Sequence, residues 1–464
     1  MSMTRAAAWL ALVAACGSSP AGLPDAEPGD GHDAPGDITR DADAQPQLRG
    51  GPVRLSDHSL EDDHGRFNAL GATMMWAAWA YRNDRFRLET QLAYLRDHGF
   101  HFIRALGIVG NPAGPDYWDG REIELGWSDY DDVIAGPTDL AYDQYGLRVE
   151  WTLIGDGQYQ VPTDGQVRDL IDRFIAMSAP RREKIIHFEL ANEYYQNGFG
   201  GDDGIARLRD LTGYLRDRTD ILVAASAPYS SDCETINEVY SGGVADLATI
   251  HFDRTNNTNE GNWRPIRQPW EYEACDGALP VGSNNEPIGP GSSVTTVTQL
   301  PPLVAAPLVT WLSSIPLHVF HSRAGVRGDE GFETMLGANA QRHLMALVPG
   351  GVASWTRRDC RDPDAPFRCY ARDGGAWVAD AMWPELGNAT GGATAVYTAV
   401  SGNDYFTVAI GVRAELQLEA RRALTVQVID PTTGDTIATH APGAGAMFMV
   451  GDGREVLILR GQYQ

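Results

Sequence analysis

Positive charge is what this chain has least of. Its 464 residues include 37 Lys and Arg against 62 Asp and Glu, a formal net charge of −25 at pH 7. No basic stripe is available to neutralise phosphates, which excludes nucleic acid as a partner. Neutral substrates suit this balance better than polyanions. Cysteine is scarce too: there are five, with no Cys-x-x-Cys and no His/Cys spacing of a zinc site. No Gly-rich phosphate loop follows a strand-like run, and no Ser nucleophile elbow appears. The stretch "SDHSLEDDHG" (56–65) gathers His58, His64 and four acids. Its spacing matches no metal-ligand motif, and a solvated entry loop is expected there. Nothing calls for a metal or a cofactor.

Long apolar runs are also missing. The N-terminal "MSMTRAAAWLALVAACGSS" is apolar but too short to stay in a bilayer as a spanning helix. It has an early Arg and ends Val13-Ala14-Ala15-Cys16, which resembles a bacterial lipobox. The resemblance implies a signal segment over 1–16, with Cys16 lipidated as the first mature residue. Gly17 behind it resembles the pattern sent on to the outer membrane. Residues 17–50 are Asp, Gly, Pro and Ala with little to bury, as expected of a disordered tether. The expectation is an exported monomer, held to the outer membrane or cell surface by a lipid anchor. Four cysteines remain, an even number in an exported chain. Cys360 with Cys369 and Cys233 with Cys275 is the expected pairing, other connectivities staying open.

What the chain has is alternation. Strand-like runs occur at 67–75, 100–108, 147–154, 184–190, 220–226, 246–252, 279–285 and 316–322. Helical stretches lie between them, clearest at "RFRLETQLAYLRDHG", "DGQVRDLIDRFIAMSA", "GIARLRDLTGYLRDRT" and "FETMLGANAQRHLMAL". In the first, Phe86, Leu88, Leu92 and Leu95 recur at helical spacing and Gly99 closes the end. Eight strands alternating with helices over residues 51–350 predict an α/β fold, a (β/α)₈ TIM barrel. From 351 to 464 short alternating runs separated by turns such as "DPTTGD" predict a small C-terminal β-sandwich.

In such a barrel, function lies at the C-terminal ends of the strands. "KIIHFELANEYY" places Asn192 and Glu193 just past strand four, and "LPVGSNNEPIGPG" places Glu286 past strand seven. Two carboxyl groups about 5–5.5 Å apart are what a retaining glycosidase needs. With these motifs the chain resembles the clan of (β/α)₈ retaining glycoside hydrolases that includes the cellulase-like family 5 enzymes, over about residues 65–347. The resemblance implies Glu193 as acid/base, Glu286 as nucleophile and Asn192 as the partner of the sugar 2-hydroxyl. It implies that Arg104 of "FIRALG" keeps the nucleophile ionised and that His251 of "TIHFD" is the strand-six His.

Two departures stand out. The clan's strand-six pattern continues His-x-Tyr, where this chain has Asp253. Strand eight commonly ends in a Trp beneath the sugar, where this chain has "VFHSRAG" with His321; Trp355 could be that Trp only under a shifted strand count. Glu189 reads as an ion-pair partner inside the barrel. Trp76, Trp79 and Tyr194 are the leading candidates for stacking on a sugar, with Trp118, Trp127, Tyr195, Trp263 and Trp270 behind them. The sequence thus reads as a lipid-anchored retaining glycoside hydrolase with a carbohydrate substrate. Two other readings stay open: a non-catalytic glycan-binding lipoprotein on the same barrel, and a metal-dependent hydrolase.

Overall fold

The computed structural model describes residues 50–464 apart from 111–117, 253, 255–262, 273–274, 276–278, 292–296, 372–377, 380–394, 413–415 and 452. The signal-like segment with Cys16, all but the last residue of the expected tether, and Asp253 lie outside the described residues.

Eight parallel strands close into a barrel. They are β1 (Ala69–Thr73), β2 (Phe102–Ile108), β3 (Arg148–Ile154), β4 (Ile185–Ala191), β5 (Val223–Ser226), β6 (Leu247–Ile250), β7 (Val281–Asn284) and β8 (Leu317–Phe320). Each pairs with its neighbours in chain order, and β8 returns to β1 with Leu317 opposite Ala69. Every strand overlaps one of the eight runs expected from sequence. Strands packed on both faces need apolar residues throughout, and β2, β3 and β4 are buried along their whole length. Alternate residues divide the work. On β3, Trp151 turns outward onto Phe174 of the helix Asp164–Ser178, with ring centroids 5.8 Å apart. Glu150 and Thr152 turn inward, where Arg104 of β2 and Glu189 of β4 meet them. On β1, Gly71 leaves room for the Phe102 ring, since a Cβ there would lie 2.3 Å from it.

The N-terminal face of the barrel is closed by a three-stranded antiparallel sheet, Arg54–Ser56, Ser59–Asp62 and Gly65–Phe67. This corrects the expectation of a solvated loop over 56–65. Leu60 and Phe67 are buried with Phe102, Leu317 and Val319, and Asp62 forms a buried ion pair with Arg148 at 3.0 Å. His64 Nδ1 accepts a hydrogen bond from the Gly50 amide. That acid-rich segment is a plug held by one buried arginine.

The helices depart from expectation in two places. Leu88, Leu92 and Leu95 are buried in the helix Arg85–Asp97, but Phe86 is 83% exposed. The stretch expected as one helix over "FETMLGANAQRHLMAL" is a single 3₁₀ turn, Phe332–Thr334, followed by the helix Gln341–Leu347. Gly337 between them has φ +82°, a left-handed conformation that stops a right-handed helix. Among the described residues no helix is long and apolar enough to cross a membrane.

Beyond the barrel, antiparallel strands form a six-stranded and a four-stranded sheet. Phe367 of the smaller sheet meets Tyr405 of the larger at 5.3 Å between centroids, and Phe448 of its own sheet at 5.9 Å. The sandwich packs on the helix Leu300–Leu312, whose residues from Pro302 onward are all buried. Trp270 stacks near Tyr397 at 4.5 Å and carries the Arg357 guanidinium at 3.9 Å. Trp355 leads into the first sandwich strand, Thr356–Asp359, so the strand-eight position belongs to His321. Disulfides join Cys233 to Cys275 and Cys360 to Cys369, the expected pairing.

Candidate active site

The C-terminal ends of the strands surround a cleft of about 370 Å³, lined by residues that include Asp156, Asn192, Glu193, His251, Arg254, Glu286 and His321. Its floor is a buried polar network centred on Arg104. The guanidinium donates from Nη1 to Glu286 Oε1 (2.7 Å), from Nη2 to Glu189 Oε2 and Asn192 Oδ1 (both 2.8 Å), and from Nε to Glu150 Oε1 (3.1 Å). A planar fork of donors is what lets one side chain hold four acceptors from three strands. Asn285 Nδ2 donates to Glu150 Oε1 (2.8 Å), and Thr152 Oγ1 to Glu189 Oε2 (2.6 Å). Glu150 Oε2 faces the His187 ring at 3.2 Å. Burial pulls the His187 ring down, but Glu150 and Glu189 outweigh it and hold the ring above its usual value. Burial likewise opposes ionisation of Glu150, which His187 and Arg104 nonetheless hold below the usual carboxylate range.

Above this floor stand two carboxyl groups with different surroundings. Glu286 is buried; beside Arg104 on Oε1, it receives Arg254 Nη1 on Oε2 at 3.2 Å. Burial would raise its carboxyl, yet His251, Arg104 and Arg254 hold it well below the usual range. His321, whose Nε2 lies 3.8 Å from Glu286 Oε2, is pushed down to about 3 by burial. That ring is neutral, so it offers Glu286 a dipole and not a charge; its Nδ1 shares a hydrogen bond with Thr73 Oγ1 (3.0 Å).

Glu193 is the more exposed of the pair. Its Oε1 lies 3.1 Å from His251 Nδ1, and its Oε2 accepts from Gln196 Nε2 (2.6 Å). Its backbone has φ +37°, a strained value for a residue with a side chain. Buried Asn197 holds that turn, donating to the Asn192 and Glu193 carbonyls while its Oδ1 accepts from the Asp156 amide. The loops after β3 and β4 are thereby clamped together. His251 bridges the pair, 3.1 Å from Glu193 and 3.7 Å from Glu286. A carboxylate oxygen of each and a ring nitrogen of His251 fall within 4.8 Å of one another. That spread would admit a cation, but a guanidinium already occupies each Glu286 oxygen, so the donor set does not fit a metal.

Comparison with solved structures places this architecture. A protein described as a glycoside hydrolase matches with a TM-score of 0.61 and 13% identity, over 89% of this chain and 97% of that one. A family 5 glycoside hydrolase from Bacteroides vulgatus matches with a TM-score of 0.62 and 14% identity, over 89% and 94%. No protein-family model and no curated protein matches the sequence. The chain shares the fold of these glycoside hydrolases.

On that fold, the residues anticipated from sequence divide in two. Asn192, Glu193, His251, Glu286 and His321 line the cleft, and Arg104 lies beneath it. Glu189 is the buried ion-pair partner expected, 2.8 Å from Arg104. The leading aromatic candidates are elsewhere. Trp76 is buried, its Nε1 donating to the Ala324 carbonyl, because the helix Ala77–Asn83 starts directly after it and turns the indole into the core. Trp79 packs half-buried on that helix, and Tyr194 turns inward while Tyr195, next in sequence, faces the cleft. Among the described residues, Trp118, Tyr195, Tyr229 and Phe252 are the Trp, Tyr and Phe side chains that line it. Tyr229 is 56% exposed and meets Tyr195 edge-on at 5.1 Å.

Sequence reasoning missed Asp156, Glu150, Asn197, Arg254 and Tyr229. Arg254 stands beside the Asp253 that marked a departure from the clan's pattern, a signal that went unused. Arg104 is a lone charge in an apolar strand, and Glu150 shares its strand with no other charge than Arg148 at its start, the mark of interior ion pairs. Asp156 left no such trace.

Proposed function

We propose that the chain is a retaining glycoside hydrolase that cleaves O-glycosidic bonds of a poly- or oligosaccharide by double displacement. The observation that carries this reading is the pairing of Glu193 and Glu286. Their oxygens approach within 4.8 Å, close to the spacing of about 5–5.5 Å between carboxyl groups that a direct displacement requires. An inverting enzyme would need room for a water between them. Their surroundings also differ as the two roles demand.

Glu286, ionised between Arg104 and Arg254, attacks the anomeric carbon. Glu193 gives its proton to the departing oxygen, and His251 at 3.1 Å steadies the carboxylate left behind. Glu193 then takes a proton from water, which attacks the anomeric carbon and frees Glu286. Asn192, fixed by Arg104, binds the sugar hydroxyl next to the reacting carbon. The net charge of −25 fits a neutral glycan better than a polyanion. We also infer export and lipidation at Cys16 from the lipobox-like "VAAC". Metabolic labelling with a fatty acid, lost in Cys16→Ser, tests the anchor.

The test of the activity is hydrolysis of a panel of plant, fungal and bacterial polysaccharides. At least one is cleaved, and Glu193→Gln and Glu286→Gln each lose at least about a hundredfold in kcat/KM, the scale of a catalytic proton transfer. A variant of either glutamate that retains full activity contradicts the assignment.

A further inference from the structure

Arg104 cannot by itself neutralise the carboxyl groups gathered around it. Glu150, Glu189 and Glu286 all lie within 3.1 Å of its nitrogens, and all three are buried. His187, at 3.2 Å, answers Glu150. One fixed cation and one histidine thus face three carboxyl groups, and buried anions are stable only where each is matched. Arg254 supplies the missing charge. It emerges from the end of β6 with its side chain almost wholly buried, and its Nη1 reaches the Glu286 oxygen that Arg104 does not hold.

We propose that Arg254 is a counter-ion of the nucleophile, a positioning residue that fixes Oε2 of Glu286 for attack. This rests on the reading of Glu286 as the nucleophile. In that reading one bond forms, from a Glu286 oxygen to the anomeric carbon, and one breaks, from that carbon to the leaving oxygen, which takes the Glu193 proton. Negative charge therefore passes from Glu286 to Glu193. His251 lies between the two carboxyl groups.

The groups facing Glu286 come from every side: Arg104 on β2, Asp156 after β3, Glu193 after β4, His251 and Arg254 after β6, and His321 after β8. Among them Arg104 and Arg254 are the fixed cations, and only Arg254 can be removed without dismantling the Arg104 network.

The test is a carboxyl-carbon NMR titration of chain labelled at glutamate, with the Glu286 signal assigned by its loss in Glu286→Gln. In the unmodified chain and in Arg254→Lys, Glu286 stays ionised to well below the ordinary glutamate range. In Arg254→Gln its midpoint rises by about 1–3 pH units, the usual effect of removing an adjacent cation. Arg254→Met carries the same expectation should the Gln variant fail to fold. A midpoint unmoved in the neutral variants overturns the proposal. The readout needs no turnover, so failure of the hydrolase reading is seen separately, as absence of cleavage of every glycan. On a cleaved substrate, the acid limb of kcat/KM moves upward in Arg254→Gln and is restored in Arg254→Lys.

Discussion

Asp156 sits where a carboxyl group is costly. It follows β3 with φ +56°, and burial, with Glu193 and Glu286 nearby, pushes it up to about 6 from an ordinary 3.8. An acid whose folded value is raised holds its proton longer in the folded state. Its cost to stability is absent below the unfolded value, grows between about 4 and 6, and is complete above. Asp156→Asn removes that cost and suits the left-handed backbone. It is expected to stabilise the chain by roughly 1–3 kcal/mol at pH 7.5 and by nothing at pH 3.5, read as Tm at the two values. An equal gain at both would refute the account. The same residue shows what sequence could and could not convey. Glu193 was legible because it ends an apolar run, where an acid needs a reason, and Glu286 because it follows strand seven at the matching place. Asp156 lies among turn residues, where an acid needs none. Trp76 and Tyr194 were misplaced because side-chain direction just past a strand is set by the turn, not by the strand's alternation.

At the scale of elements, the eight strands were readable since a strand covered on both faces must be apolar along its length, as "FIRALGI" and "IIHFELA" nearly are. The capping sheet over 54–67 was not, since its short polar strands carry no such mark and its burial comes from contact with the barrel floor. The loop after β7 was read only as a turn, yet Gly289 is required there: a Cβ would meet the His321 carbonyl at 1.5 Å. The disulfides make a prediction at this scale. Cys233–Cys275 spans 42 residues, tying the helix Cys233–Tyr240 to the segment after β6, whereas Cys360–Cys369 spans 9. Loop-closure entropy gives about 4 kcal/mol for the first and about 2.5 kcal/mol for the second. Paired Cys→Ser variants compared by urea midpoint should follow that order, and a larger loss from the shorter loop would contradict it.

At the scale of the molecule, the helix Leu300–Leu312 joins barrel and sandwich. Its sequence, "LPPLVAAPLVTWL", has no polar face for solvent, and it contacts the larger sandwich sheet directly. With Arg357 on Trp270 and Arg460 Nη1 donating to the Leu347 carbonyl, the sandwich is a part of the barrel's own core. A chain ending near residue 350 is therefore expected to aggregate, and the whole chain to unfold in one transition. Two separated calorimetric transitions would show the sandwich to be an independent module. The helix-by-strand rhythm revealed the two parts, but not that one apolar helix serves both, because burial on all sides looks the same in sequence whichever partner supplies it.

The central claim is direct displacement by Glu286, and the configuration of the newly released sugar reads it without intermediaries. Proton NMR during the first minutes of hydrolysis of a cleaved glycan should show the anomer of the substrate linkage appearing first, with its partner growing in by mutarotation. Initial appearance of the opposite anomer would mean that water, and not Glu286, attacks the sugar.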